Sequence, residues 1–84
     1  MADFVPLSKL KVGDRGIVAR VDGSGATRRR LMDMGLVRGT EVRVVRTSPL
    51  GDPVEFSLRD YNLSLRKAEA DLVLVRLSKG SQEK

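Results

Sequence analysis

Short runs of alternating apolar and polar residues are the feature that most constrains the fold of this chain. Five runs recur between glycine, proline and Asx turn residues: "RGIVARV", "TEVRVVRT", "VEFSLR", "LSLRK" and "LVLVRL". Alternation with a period of two is typical of strands that bury one face. The pattern therefore predicts a small all-β barrel.

The alternation also predicts which side chains face the core. The expected inward positions of the first four runs are Ile17, Ala19, Val21, Val42, Val44, Val54, Phe56, Leu58, Leu63 and Leu65. The fifth run is apolar on both faces, so we expect it to be covered on both. Either a helix or the N-terminal segment "FVPL" would supply the second cover.

A short helix is predicted between the first two strands, where "DGSG" supplies a turn and a Ser or Gly N-cap. The residues expected to face the barrel are Thr27, Leu31 and Met34. Arg28 and Arg29 then face outward. Gly35 fits the left-handed position just past the helix end, so Leu36 should contact Leu31 in a Schellman motif.

The segment "TSPLGDP" joins the second and third strands and has the turn residues of a long hairpin loop. Leu50 lies at its tip and should be exposed. We expect one domain over residues 1–77, followed by a disordered polar tail over residues 78–84.

The composition excludes most common kinds of catalytic and metal-binding site. The 84 residues include no cysteine and no histidine, so the common nucleophile-and-base pairs and the usual ligands of tight transition-metal sites are missing. Asp52 and Glu55 are close in sequence, but solvated roles in a turn and on a strand are expected for them. The sequence predicts no enzyme, no cofactor and at most weak metal binding.

Positive charge is the main clue to a partner. Sixteen Lys and Arg residues against 11 Asp and Glu give a net charge of +5, which favours acidic partners. The run Arg28, Arg29 and Arg30 could hold nucleic acid, contact a protein or form a solvated helix face. Single-strand binders stack bases on aromatic side chains, and this chain has only 2 Phe and 1 Tyr.

Four segments together resemble the FeoA family: "PLSKLKVGDRGIV", "RRRLMDMGLVRGTEVRVV", "SPLGDPVEF" and "RDYNLSLRKAEADLVLV". The specific part is R-x-L-x-x-M-G-L-x-x-G-x-x-V combined with P-L-G-D-P and a following L-x-L-R. This resemblance implies a mainly β, SH3-like barrel of about five strands with a short inserted α-helix and no enzymatic activity. It also implies a cytoplasmic partner of FeoB, a membrane permease for ferrous iron with a cytoplasmic GTPase domain.

The resemblance and the residue pattern together suggest a contact surface for FeoB. Its predicted members are Arg28, Arg29, Met32 and Leu50, which would combine an apolar anchor with steering charges. We expect a protein without a membrane-inserted segment that is peripheral to the inner membrane through FeoB. A basic nucleic-acid-binding barrel is the alternative, and exposed sheet edges leave room for a homo-oligomer.

Overall fold

The computed structural model describes residues 4–77 and contains one antiparallel sheet of six strands. The strands are β1 (Phe4–Pro6), β2 (Arg15–Val21), β3 (Glu41–Thr47), β4 (Val54–Leu58), β5 (Tyr61–Leu65) and β6 (Val73–Leu77). Their order in the sheet is β1-β6-β2-β3-β4-β5. The helices are a 3-10 turn (Leu7–Lys9), α1 (Gly25–Asp33) and α2 (Lys67–Ala70). The predicted tail, residues 78–84, lies outside the described residues.

The predicted core is confirmed for most of the central strands. Val42, Val44, Phe56, Leu58 and Leu65 are all buried, and they pack with apolar residues of the helices. Their polar neighbours along β3 point outward, as the alternation predicts. Within the described residues no polar or charged side chain is buried, so the small core is held together by apolar packing.

The inward face predicted for β2 is wrong at two positions. Ile17 is 40% exposed and Ala19 is only half-buried, whereas Val18 is almost fully buried. The register of β2 against β6 shifts between Val18 and Arg20. This bulge inserts an extra residue, so Val21 is buried although it is three residues from Val18.

The N-terminal segment is not a cover for β6, because Phe4–Pro6 forms an edge strand beside it. Val5 is the register partner of Val75, and Leu7 then enters the core. The described part of the chain therefore has six strands, one more than the five apolar runs predict. The second face of β6 is covered only in part, since Leu74 is half-buried.

The predicted end of α1 is confirmed. Gly35 has a φ of +106°, and its N–H donates to the Met32 carbonyl at 3.0 Å. The Leu36 N–H donates to the Leu31 carbonyl at 3.3 Å, and both leucines are fully buried. These two hydrogen bonds form a Schellman motif. At the other end Ser24 occupies the N-cap position, but its side chain makes no capping hydrogen bond.

Among residues 4–77, no helix has the length and hydropathy needed to cross a bilayer.

Candidate protein-interaction surface

The structure places three of the four predicted contact residues on α1 and the fourth on a separate loop. Arg28 and Arg29 are exposed on α1, and Leu50 is 93% exposed at the tip of the β3–β4 loop. Met32 is half-buried and packs against the core, so it offers less surface than its predicted role suggests. We call these four residues the helix–loop surface.

Arg28 is held in place by the end of β2. Its Nε donates to the carbonyl oxygen of Val21 at 3.0 Å. The other guanidinium N–H groups are then presented to solvent in a fixed orientation. Fixing a side chain before binding lowers the conformational entropy lost on association. Arg28 is therefore a pre-oriented donor, whereas the Arg29 side chain makes no hydrogen bond or ion pair within the described residues.

The third arginine of the run has a structural contact. Arg30 Nη2 lies 2.6 Å from Glu69 Oε2 of α2. Glu69 also accepts the N–H of Arg66 at 2.9 Å through Oε1. Because Arg30 is engaged by a carboxylate, only two arginines of the run are available for an external contact.

Helix α2 connects α1 with the β3–β4 loop. On one side Glu69 binds Arg30, and on the other the N–H of Lys67 donates to Asp52 Oδ1 at 2.9 Å. Sequence reasoning missed this four-residue helix because it is too short to show a 3.6-residue apolar period. Its one signal is Glu69 placed three residues after the N-cap, but the N-cap residue is Arg66 rather than Ser or Thr.

The loop that carries Leu50 is held by its own hydrogen bonds. The Gly51 N–H donates to the Ser48 carbonyl at 2.8 Å, and the Asp52 N–H donates to Ser48 Oγ at 3.1 Å. The Ser48 N–H donates in turn to the Pro53 carbonyl at 3.2 Å. Leu50 is therefore an exposed apolar side chain on a loop that is held by three internal hydrogen bonds.

The two carboxylates considered for catalysis take part in structural contacts. Asp52 accepts the Lys67 N–H, as described above. Glu55 accepts hydrogen bonds from Arg46 at 3.0 Å and from Asn62 at 3.1 Å, and these donors hold the pKa of Glu55 below its usual value. Within residues 4–77, no group of three or more Asp, Glu, His or Cys side chains is placed to hold a metal ion.

The contact between α1 and α2 predicts a pH-dependent stability. The Arg66 N–H hydrogen bond and the Arg30 guanidinium lower the pKa of Glu69 in the folded chain. A carboxyl group whose pKa is lower in the folded than in the unfolded chain stabilises the fold when it is ionised. This stabilisation is complete above the pKa of the unfolded chain and is lost as the pH falls through the pKa of the folded chain. We expect Glu69→Gln to flatten the fall in unfolding free energy below about pH 5. Urea titrations of both proteins from neutral to acidic pH measure this slope, and an identical slope in the variant would contradict the prediction.

Comparison with known proteins identifies the domain. A model of the FeoA domain family matches residues 5–77. The "Fe(2+) transport protein A/Fe(2+) transporter FeoB fusion protein" of Porphyromonas gingivalis is 44% identical over 71 residues. The match covers 84% of this chain but only 8% of that relative, so the chain corresponds to a small part of the fusion protein.

Two solved structures have the same fold along almost the whole chain. The FeoA-like protein from Clostridium acetobutylicum is 39% identical, with a TM-score of 0.84 over 92% of this chain and 90% of that one. The FeoA of Stenotrophomonas maltophilia, complexed with zinc and described as an SH3 domain protein, is 34% identical, with a TM-score of 0.74 over 93% and 94%. The prediction of a mainly β, SH3-like fold with a short helix is confirmed. This chain belongs to the FeoA family, which is associated with ferrous iron transport and is not a known family of enzymes.

Proposed function

We propose that this chain is a non-enzymatic accessory protein of ferrous iron uptake that binds the cytoplasmic part of FeoB. The observation that carries the proposal is the Porphyromonas gingivalis relative, in which a domain 44% identical to this chain is part of the same polypeptide as FeoB. Covalent fusion keeps two domains at a high effective concentration. A chain that is separate from FeoB would need a binding surface to achieve the same association.

The helix–loop surface is our proposal for that binding surface. Leu50 supplies an exposed apolar anchor, and Arg28 and Arg29 supply positive charge on α1. A few anchor residues contribute most of the affinity in protein interfaces, while complementary charges contribute specificity and association rate. The internal hydrogen bonds of the loop and of Arg28 reduce the conformational entropy that is lost on binding. In this proposal the chain is cytoplasmic and reaches the inner membrane through FeoB.

Metal binding has a minor place in the proposal. The Stenotrophomonas maltophilia relative was solved in complex with zinc. This chain has no His or Cys, and carboxylates alone favour harder ions that keep bound water. We therefore infer that transition metals bind this chain only weakly and are not resident cofactors.

A binding assay with surface variants tests the proposed contact. We expect Leu50→Ser to weaken binding to the cytoplasmic part of FeoB by at least about tenfold, as for loss of an interface anchor. The double variant Arg28→Glu and Arg29→Glu should weaken it by a similar factor and should reduce its salt dependence. Immobilised FeoB fragment and increasing concentrations of each chain give both quantities.

Lysine substitutions provide a matched control for the role of Arg28. Arg28→Lys keeps the charge but loses the Nε hydrogen bond to Val21, whereas Arg29→Lys removes no internal contact. We expect Arg28→Lys to weaken FeoB binding more than Arg29→Lys. The proposed surface would be refuted if the Leu50 and charge-reversed variants bound FeoB as tightly as the wild type while retaining the wild-type unfolding curve. Tight RNA binding lost in the same variants would favour the nucleic-acid alternative.

A further inference from the structure

A second basic surface lies on the outer face of the sheet, and none of the four residues of the helix–loop surface lines it. Two shallow cavities of about 460 Å³ and 430 Å³ adjoin there and share Ile17 and Gly39. The arginines that line them are Arg15, Arg20, Arg38, Arg43, Arg59 and Arg76. We call this combined surface the arginine groove. The sequence pattern does not reveal this groove, because its arginines are spread over several strands and loops.

The strand register shows how the groove is assembled. Phe4 of β1 lies opposite Arg76 of β6, Arg76 lies opposite Ile17 of β2, and Ile17 lies opposite Glu41 of β3. This row places an apolar side chain at the centre of the surface. Ile17 is 40% exposed and Phe4 is 47% exposed. The β2 bulge that turns Val18 inward is what leaves Ile17 on the outside.

A neighbouring row brings two like charges together. Arg15 of β2 is the register partner of Arg43 of β3, and Arg59 lines the same cavity. Like charges that lie directly opposite each other destabilise a sheet. Among residues 4–77, Glu41 is the only carboxylate that lines either cavity, and it lies 3.8 Å from Arg15. Positive charge therefore exceeds negative charge along this part of the surface.

Most arginines of the groove form no ion pair with another described residue. Within residues 4–77, Arg38, Arg43, Arg59 and Arg76 form no ion pair. Guanidinium groups bind carboxylates in a planar, two-hydrogen-bond geometry and are less strongly hydrated than ammonium groups. An acidic occupant would complement these exposed guanidinium groups.

We propose that the arginine groove binds an acidic, extended protein segment that carries an apolar side chain over Ile17. The concave shape suits a chain more closely than it suits a flat membrane surface. Nucleic-acid binding is less favoured, because bases stack on aromatic platforms. In the described part of the chain, Phe4 is the single aromatic residue that lines the two cavities. This proposal does not depend on the helix–loop surface.

The test uses a fluorescein-labelled, glutamate-rich peptide with one central leucine as the probe. We expect saturable binding to the full chain, measured by fluorescence anisotropy and weakened by salt. Arg43→Glu and Arg59→Glu should each weaken binding by about tenfold. The matched control is Arg29→Glu, which makes the same charge change on α1 and should leave the peptide affinity nearly unchanged.

The Arg43→Glu variant also separates binding from folding. It places a glutamate opposite Arg15 and replaces a like-charge pair with an opposite-charge pair, so its unfolding free energy should not fall. Equal peptide affinities for the Arg43, Arg59 and Arg29 variants would overturn the proposal, since binding would then depend on net charge alone. Tighter binding to an RNA oligonucleotide or to phosphatidylglycerol vesicles, lost in the Arg43 and Arg59 variants, would also overturn it. FeoB binding that persists in those two variants would show that the two surfaces act separately.

Discussion

Gly35→Ala is expected to lower the unfolding free energy by about 3 kcal/mol, because the substitution meets two separate obstacles. The first is backbone strain, since Gly35 has a φ of +106° and an L-residue in the left-handed region costs roughly 1–2 kcal/mol. The second is space, because a Cβ at this position would overlap the Tyr61 hydroxyl and approach Leu58 Cδ2 to 3.3 Å. Overpacking of this kind typically costs about 1–3 kcal/mol. Urea unfolding of the wild type and the variant measures the total.

Gly13→Ala is the matched control for the backbone contribution. Gly13 has a φ of +95°, and a Cβ there would meet no atom within 4 Å. We expect it to cost only about 1–2 kcal/mol. Tyr61→Phe supplies the second control, because it removes the hydroxyl that donates to the Met34 carbonyl and that blocks the space beside Gly35. Gly35→Ala should then cost less in the Tyr61→Phe background. Equal losses for Gly35→Ala and Gly13→Ala would contradict the steric part of the explanation.

Leu31→Ala is expected to cost about 3 kcal/mol and to loosen α1 from the barrel. Leu31 is the buried side chain of α1, with 0% exposure, and truncating a fully buried leucine costs roughly 2–5 kcal/mol. A nine-residue helix is too short to be stable in water without packing. Hydrogen exchange of the α1 amides, compared with those of β3, measures the local loosening, and urea unfolding measures the total loss.

Met32→Ala separates anchoring of the helix from simple removal of side-chain volume. Met32 is the next residue on α1 and is only half-buried, so we expect a loss of about 1 kcal/mol. If the two variants lost the same stability, or if exchange in α1 were unchanged by Leu31→Ala, the anchoring role of Leu31 would be wrong.

Local patterns predicted the parts of the fold that local physics determines. The alternation in β3 and β4 placed Val42, Val44 and Phe56 correctly because those strands bury one regular face. The end of α1 was predictable because Gly35 and Leu36 satisfy a local hydrogen-bond motif. Neither inference needed knowledge of distant contacts.

The features that sequence reasoning missed depend on pairing between distant segments. The bulge after Val18 arises where β2 meets β6, so alternation alone placed Ile17 on the wrong face. Helix α2 is held in place by contacts of Glu69 and Lys67 with α1 and the β3–β4 loop. The arginine groove likewise exists only after several strands have paired. The position of Leu50 in a turn predicts its exposure. The sequence pattern does not predict the hydrogen bond from the Lys67 N–H to Asp52 that connects this loop to α2.

The most direct test of the central claim is a calorimetric titration of the full chain into the cytoplasmic part of FeoB from the same organism, repeated with the Leu50→Ser variant. The proposed function predicts saturable binding by the wild type and binding weakened at least about tenfold in the variant. Absence of binding by a correctly folded wild-type chain, or equal binding by both chains, would contradict the account. The first result would remove FeoB as the partner, and the second would remove the helix–loop surface as the site of contact.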